Sequence, residues 1–297
     1  ESALAQTLFR GARAVVAELN PPIDADASFF LRAAKRLAAS GADALTVPDS
    51  PLSRPRADSF LMSAKIAREA GVDVLPHLAC RDKNAIALQG ALIGGNIEGV
   101  QNVLAITGDP ALGAAAEGER AAGRNVFSLN ALKLIGFVKS LNQTLFAARP
   151  YLIAAALNVN APNFQAELDR ARAKEDAGAQ LLLTQALFTD ESLENLRRAR
   201  EALRLKLLCG ILPVAGYKNA VFLNNEVSGI RLPEDFVQSL AGKDREAAAE
   251  ISLAFSRRVI DRAEPLCDGY YLMTPLKRVD LTEALILYIR GKEDGTR

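Results

Sequence analysis

The feature that most constrains this chain is a short apolar segment followed by a longer amphipathic one, a pattern that occurs eight times. Apolar runs rich in Val, Ile and Leu that stop at Gly, Pro or Asp are typical of buried strands, and apolar residues at helical spacing are typical of helices packed on a sheet. Eight such units in 297 residues predict an α/β fold, the (β/α)8 TIM barrel. An open doubly wound sheet is the alternative, weakened because no Gly-x-Gly-x-x-Gly follows a strand.

The predicted strands are Ala14–Leu19, Ala44–Val47, Val72–Ala79, the apolar part of Asn102–Pro110, Tyr151–Leu157, Gln180–Gln185, Lys206–Leu212 and Gly269–Met273. The predicted helices are Ala27–Ser40, Ser59–Ala70, Asn84–Leu92, Leu129–Leu141, Gln165–Ala177, Asp190–Leu203, Tyr217–Asn225 and a closing helix, Leu281–Ile289. A short extra helix, Leu232–Leu240, is expected before a long one, Arg245–Ala263, and a long loop, Ala111–Asn125, after strand four. Without a linker or an internal repeat, residues 1–297 are expected to form a single domain.

Composition excludes several classes of function. Lys and Arg number 36 against 35 for Asp and Glu, so the net charge of +1 gives no electrostatic signature for nucleic acid or an anionic membrane. No apolar run approaches the roughly 20 residues that a membrane span needs. Glu1–Arg13 lacks the apolar core of a signal peptide, and from a start at Glu rather than Met we expect that the true start has been trimmed or lies outside the given sequence. The three cysteines are far apart, which favours a reducing cytoplasm.

The single histidine, His77, excludes any metal site that needs two imidazoles, and no Cys-x-x-Cys is present. The chain also offers no Ser–His or Cys–His pair for nucleophilic hydrolysis. We therefore expect no metal. What remains is acid–base chemistry, or a cofactor reaction in which the protein supplies orientation and electrostatics.

Polar side chains stand at nearly every predicted strand end. In a barrel these ends converge on one face, where active sites lie. Each residue alone has a structural explanation, and together they indicate a site: Glu18, Asp49, His77, Asp109, Asn158, Gln185, Lys277 and Arg278.

Individual residues leave alternatives open. Glu18 belongs to a strand, so it is either a desolvated carboxyl with a raised pKa, suited to a general acid, or the partner of a basic residue on a neighbouring strand. Asp109 sits on a Thr-Gly-Asp-Pro turn at the carboxyl end of a strand, where catalytic groups collect, but this stretch alone favours an Asp that caps a turn or the next helix. We expect His77 to be a satisfied core or rim histidine rather than a catalyst, with a ligand contact as the alternative. The amide of Gln185, which ends an apolar strand, suits hydrogen bonding to a heterocycle.

Two further side chains are expected to be structural. Cys80 lies beside His77 and is predicted to serve packing alone. Lys174, with Arg170 and Arg172 on the same helix, reads as part of a solvated face.

Several stretches, in order along nearly the whole chain, resemble the methylenetetrahydrofolate reductases, which are flavin-containing eight-stranded barrels. Each stretch is weak alone, and their shared order makes the resemblance specific. The stretches are Glu18–Pro22, Pro76–Asp82, Asn102–Pro110, Asp176–Ala179, Leu183–Gln185, Gly210–Pro213, Ile230–Glu234 and Leu276–Arg278. The run Thr46–Ser59 is most similar to the branch that contains bifunctional homocysteine methyltransferase–reductases and the reductases of acetogenic bacteria.

The resemblance implies that FAD reduces 5,10-methylenetetrahydrofolate to 5-methyltetrahydrofolate, with NADH or NADPH as electron donor. Glu18 matches the general acid that protonates N10 and opens the five-membered ring to a 5-iminium cation, and Asp109 matches the aspartate beside flavin and folate. Gln185 and Arg278 match folate-binding residues. The positions implied to contact the flavin are His77, Gly108, Asp109, Phe127, Ser128, Asn158 and Lys174.

Departures from the family pattern keep two alternatives open. After strand five, Ala156-Leu-Asn-Val-Asn160 replaces the family's Tyr-Pro-Glu-x-His, and Ala173 replaces a basic residue, so flavin contacts are changed. Ala186 replaces an aromatic of the donor region, with Phe188 two places on. The chain could thus be a subunit that receives electrons from a partner protein, or a flavin-free folate-binding barrel. A homo-oligomer, or a complex with an electron-transfer or methyltransferase subunit, is expected.

Overall fold

The computed structural model describes residues 1–109, 126–227 and 229–293. Eight parallel strands close into a barrel in chain order, which confirms the predicted TIM barrel and excludes the open sheet. The strands are β1 Ala14–Glu18, β2 Ala44–Val47, β3 Asp73–Ala79, β4 Asn102–Ile106, β5 Leu152–Leu157, β6 Leu181–Ala186, β7 Lys206–Ile211 and β8 Gly269–Met273.

Helices alternate with the strands and cover the outside of the barrel. Their bounds are α1 Ala3–Phe9, α2 Ser28–Ala39, α3 Ser59–Ala70, α4 Ala85–Ile97, α5 Ala131–Gln143, α6 Phe164–Ala177, α7 Asp190–Ala202, α8 Tyr217–Glu226, α9 Glu234–Ser239, α10 Arg245–Ala263 and α11 Val279–Glu293. The short extra helix, α9, precedes the long α10 as predicted. Within the described ranges, no helix has the length and apolar character needed to cross a membrane.

Most predicted boundaries lie within a few residues of the observed ones. Helix α4 continues five residues past the predicted Leu92, because Gly94 and Gly95 do not interrupt it. Helix α5 begins two residues later than predicted, since Asn130 is its N-cap and accepts a hydrogen bond from the Lys133 amide at 2.9 Å. The predicted loop Ala111–Asn125 lies outside the described residues, which end before it at Asp109.

Helix α1, which was not predicted, closes the amino-terminal end of the barrel. Leu4 and Leu8 are fully buried in the barrel interior. The Ser2 hydroxyl accepts from the Ala5 amide at 3.1 Å and donates to Asn102 at the start of β4. Seven residues are too few to give a periodic sequence signal, so pattern analysis misses this helix.

The apolar core has three parts. One fills the barrel interior, and a larger one lies between the strands and the surrounding helices. The third, here called the apolar cap, lies beyond the ends of β6–β8 and comprises Ala186, Phe188, Leu212, Val214, Ala220, Leu223, Ile230, Leu232, Phe236, Val237, Leu240 and Ala248. The cap covers one side of the barrel mouth, the end at which the strands terminate.

Candidate functional site

Glu18 lies inside the barrel mouth because of strand alternation. Val16 belongs to the interior cluster, so Glu18, two residues on, points to the same face. Tyr271 is the register partner of Val16 on β8, and its hydroxyl extends along the interior to donate a hydrogen bond to Glu18 Oε2. The Glu18 side chain is only 15% exposed.

Burial makes Glu18 a weak acid by the standards of a carboxyl group. Desolvation raises its pKa from 4.5 to about 7, although the hydrogen bond from Tyr271 acts in the opposite direction. Among the described residues no Lys or Arg forms an ion pair with it, and the basic side chain that approaches it is His77. The same burial and the neighbouring carboxyl raise the pKa of Tyr271 well above its usual value, so Tyr271 remains a donor.

His77 is the nearest titratable neighbour of Glu18 besides Tyr271. Its Nε2 lies 4.0 Å from Glu18 Oε2, beyond hydrogen-bond distance. This buried nitrogen has no partner among the described residues, so the expectation of a satisfied histidine is wrong. Burial lowers the pKa of His77 to about 3, which keeps the ring neutral. A buried, unpaired ring nitrogen at the mouth is a contact available to a ligand.

Asp109 lies on the rim rather than in the interior. Its carboxylate Oδ2 accepts from the Leu52 amide at 2.8 Å, and its backbone oxygen accepts from Ser53 Oγ at 2.9 Å. The carboxylate therefore holds the loop after β2. Gly108 has a φ of 91°, and a Cβ there would lie 2.9 Å from Arg81 Cβ. No contact between described residues joins Asp109 to Glu18.

Gln185 lies at an irregularity in the pairing of β6 with β7. The register of β6 and β7 shifts between Leu183 and Ala186, which leaves Thr184 and Gln185 opposite too few partners. The Thr184 hydroxyl fills the gap by accepting from the Gly210 amide at 2.8 Å. A Cβ at Gly210 would lie 2.4 Å from Thr184 O, so only glycine fits. The amide of Gln185 has no hydrogen-bond partner among the described residues and can serve a ligand.

Two of the predicted cofactor residues are occupied by protein contacts. Lys174 Nζ donates to Ala156 O at 2.6 Å and lies 3.9 Å from Glu167 Oε1. Its side chain is 15% exposed and burial lowers its pKa, so the assignment to a solvated face is wrong. Asn158 Oδ1 accepts from the Asn160 amide, and Asn160 in turn donates to Ala186 O and Gly229 O. This end of β5 is thereby tied to the apolar cap.

The remaining predicted residues lie on the rim. Phe127 and Ser128 are exposed, and the Phe127 amide donates to Arg81 O at 3.4 Å. Arg278 follows β8, and its guanidinium forms a two-pronged ion pair with Asp280. A substrate carboxylate would therefore meet Arg278 already paired, at a side chain 12% exposed.

Sequence reasoning missed two residues that organise the site. Tyr271 contacts Glu18, and its position two residues before the end of β8, on the inward parity, was the available signal. Arg81 is buried at 3% exposure, and its guanidinium bonds the loops after β2 and β4. The described residues contain no group of three side chains that could hold a metal ion. Cys80 is fully buried, as expected of packing.

Known proteins share this architecture. A solved structure from Clostridium thermocellum, described as an uncharacterized protein that binds two copies of 5-methyl-5,6,7,8-tetrahydrofolic acid, superposes with a TM-score of 0.69 at 13% identity, over 97% of this chain and 99% of that one. A 2,3-dimethylmalate lyase superposes with a TM-score of 0.54 at 14% identity, over 99% of this chain and 86% of the lyase. At such identities the likeness shows the fold alone.

Sequence comparison is more specific. A Caenorhabditis elegans protein named probable methylenetetrahydrofolate reductase (NADPH) is 26% identical over 61% of this chain and 26% of its own length. The 5,10-methylenetetrahydrofolate reductase of Salmonella typhimurium is 24% identical over 65% of this chain and 61% of its own length. The chain thus spans less than two thirds of either relative. The family model described as methylenetetrahydrofolate reductase matches residues 3–284, and the chain therefore belongs to the methylenetetrahydrofolate reductase family.

Proposed function

We propose that this protein reduces 5,10-methylenetetrahydrofolate to 5-methyltetrahydrofolate with a bound FAD, and that Glu18 is the general acid. The observation that carries the proposal is the pKa of Glu18, raised to about 7 by burial within the mouth. A carboxyl group with that pKa is substantially protonated at neutral pH and can still release its proton, which is the condition for efficient acid catalysis. The chain's family is named for this reaction, which supports 5,10-methylenetetrahydrofolate as the substrate.

Glu18 would donate its proton to N10 of the folate, so that the N10–methylene bond breaks and a 5-iminium cation forms. The Tyr271 hydroxyl donates to the carboxylate that remains and stabilises it after proton transfer. The free amide of Gln185 would bind the pterin, and Arg278 would lie toward the substrate tail. The negative charge of Asp109 would favour the developing cation at the mouth.

The residues present suit a flavin in part. The unpaired His77 Nε2 is a buried polar atom that a heteroaromatic ring can satisfy, and Gly108 allows close backbone approach. Phe127 and Ser128 are exposed on the rim beside them. Lys174 and Asn158 would have to exchange a protein contact for the cofactor. When bound, the flavin would supply the hydride for the methylene carbon.

The first test is spectroscopic and then kinetic. Purified protein should show the flavin bands near about 375 and 450 nm. Glu18→Gln should lower folate reduction by about a thousandfold and leave reduction of the flavin by its donor unchanged, because the acid acts only in the folate half-reaction. Folate turnover that survives this change would refute the acid assignment. Copurified pterin without flavin would favour the flavin-free folate-binding barrel instead.

One observation favours a second candidate, a reductase subunit supplied with electrons by a partner protein. Phe188, the aromatic nearest to the family's donor region, is only 6% exposed and stacks on Phe236 in the apolar cap, so it does not offer its ring to a nicotinamide. The relatives' names specify NADPH and NADH, which supports direct use of a dinucleotide. Oxidation of NADH or NADPH by the isolated chain with an artificial acceptor would support the direct route, and its absence the partner route.

A further inference from the structure

The rim around Asp109 contains an unusual concentration of strained backbone. Five non-glycine residues in the described ranges have a positive φ, and four of them, Ser50, Leu52, Ser53 and Phe127, meet at Arg81 or Asp109. Such conformations cost free energy and persist only where surrounding contacts hold them, which is typical of functional sites. These hydrogen bonds form a single node, centred on Arg81 and Asp109. The node holds three segments of the rim, Ser50–Ser53, Asp109 and Val126–Phe127, in conformations that they would not adopt alone.

Arg81 is the centre of this node. Its side chain is 3% exposed and points into the rim. The nitrogen Nη1 donates to Ser50 O at 3.2 Å, Ser53 Oγ at 3.3 Å and Asp109 O at 3.3 Å. The other side of the fork, Nε and Nη2, is neutralised by the carboxylate of Asp82.

The backbone of Arg81 extends the same node. Its carbonyl oxygen accepts from the Val126 amide at 2.7 Å and from Phe127 at 3.4 Å. The absent Cβ of Gly108 is what permits the Arg81 stem to lie against the turn, at 2.9 Å from the position a Cβ would take. The turn that carries Asp109 is thus fixed from both its backbone oxygen and its neighbouring glycine.

We propose that Arg81 is a positioning residue for Asp109. Arg81 holds the loop Ser50–Ser53 and the Asp109 carbonyl together, and that loop presents the Leu52 amide to Asp109 Oδ2 at 2.8 Å. The second oxygen, Oδ1, receives no hydrogen bond from the described residues and is left for the ligand. The proposal rests on the proposed function, because it assigns Arg81 the task of setting the carboxylate that faces the folate cation.

Lysine cannot perform this task. A guanidinium reaches Asp82 with one edge and the three oxygens of the rim with the other, whereas an ammonium is a single point of donation. Arg81→Lys keeps the charge and loses the fork. Asp82→Asn is the matched control, because it weakens only the outer edge, at a carboxylate whose side chain is 53% exposed.

A double-mutant cycle separates positioning from general structural support. Arg81→Lys should lower kcat for folate reduction roughly tenfold in the wild-type background, since small misplacements of a catalytic group have such effects. In the Asp109→Asn background the same change should lower it less than about twofold, because the group that Arg81 positions is gone. Within either background, Arg81→Lys should change the dissociation constant for 5-methyltetrahydrofolate by less than about twofold, because Arg81 does not touch substrate. Equal losses of kcat in both backgrounds would overturn the proposal.

Amide hydrogen exchange gives a readout that does not require turnover. The Leu52 amide should exchange roughly tenfold faster in Arg81→Lys than in wild type, because this change releases the loop. In Asp82→Asn the exchange rate of the same amide should stay unchanged. Unchanged exchange at Leu52 in Arg81→Lys would overturn the proposed contact. If wild type reduces no folate, the proposed function fails, and the exchange measurement still decides whether Arg81 holds Asp109.

Discussion

The two sides of the barrel mouth are built on opposite principles. Around β1–β4 the interior carries Glu18 and His77, and the rim carries strained loops held by Arg81. Beyond β6–β8 the apolar cap covers the other side of the mouth. Its Phe236 ring stacks on Phe255, which packs against the cap, with 4.2 Å between the ring centroids. The first side holds desolvated titratable groups, and the second side holds side chains that pack.

The difference indicates a division of labour between stability and chemistry. Desolvated titratable groups and positive φ angles destabilise the native state, and they persist only if other contacts hold them in place. Burial of the aromatic stack supplies such contacts, each ring contributing a few kcal/mol. Asn160 ties the apolar cap to the barrel, because it bonds the end of β5 to Gly229 in the segment between α8 and α9. The chemistry should therefore be sensitive to one side and the unfolding free energy to the other.

The largest expected loss of stability is on the capped side. Phe236→Ala should lower the free energy of unfolding by about 3 kcal/mol, because it removes a buried ring and leaves a cavity. Urea unfolding measures this. The control, Phe222→Ala, changes an aromatic on α8 that is 40% exposed and should cost less than about 1 kcal/mol. A loss of similar size for both would show that the stack does not support the mouth.

Glu18 should show the converse effect, in which removing a functional group stabilises the fold. Its pKa is about 7 when folded against 4.5 as the ordinary value, so the stability it contributes is present below pH 4.5 and is lost as pH rises to 7. Glu18→Gln removes that loss. At pH 8 the variant should be more stable than wild type by up to about 3 kcal/mol, and at pH 5 by less than about 1 kcal/mol.

Thermal or urea unfolding at the two pH values tests this prediction. The pKa of His77 is lowered to about 3, so this residue makes the folded protein less stable as pH falls below 6.5, the ordinary pKa of histidine. The effect is the same in both proteins and cancels in the difference between their unfolding free energies. A wild-type protein that is more stable than Glu18→Gln at pH 8 would mean that Glu18 is not desolvated. The sign of the difference in unfolding free energy at pH 8 therefore distinguishes a desolvated carboxyl group from an ordinary structural carboxylate.

The barrel itself was predictable, because eight apolar runs ended by turn residues leave few ways to arrange a chain of this length. The inward position of Glu18 followed from strand alternation, and its desolvation from that position. What pattern analysis could not supply was contacts between distant segments. Tyr271 lies 253 positions from Glu18, and the unpaired state of His77 depends on every neighbour around it.

Errors about individual side chains have the same origin. Arg170 and Arg172 lie on the same helix as Lys174 and indicate a solvated face. The long side chain of Lys174 instead reaches the β5 backbone at Ala156. The register shift between β6 and β7 is likewise a contact between distant segments, which no local pattern encodes. The catalytic and binding roles of the site residues remain predictions, and the structure gives the hydrogen-bond partners that each side chain has.

The smallest effect is the sharpest test of the polar side, since it changes one hydrogen bond. The Tyr271 hydroxyl lowers the pKa of Glu18, so Tyr271→Phe should raise that pKa further above about 7. Glu18 is active when protonated, so kcat/KM falls as pH rises through its pKa in the free enzyme. In Tyr271→Phe this decline should move to higher pH by about one unit, the size expected from one hydrogen bond to a charged group.

The neighbouring residue provides the control for this prediction. Tyr270 points outward from the same strand and donates to Ile260 O at 3.1 Å, so Tyr270→Phe should leave the pH profile unchanged. Both variants lose one buried hydroxyl, and only one of them faces Glu18. If the decline stays in place in Tyr271→Phe, or moves equally in both variants, then the titrating group is not Glu18. Because neither change touches the residues of the apolar cap, a selective shift would locate the chemistry at Glu18 rather than in the cap.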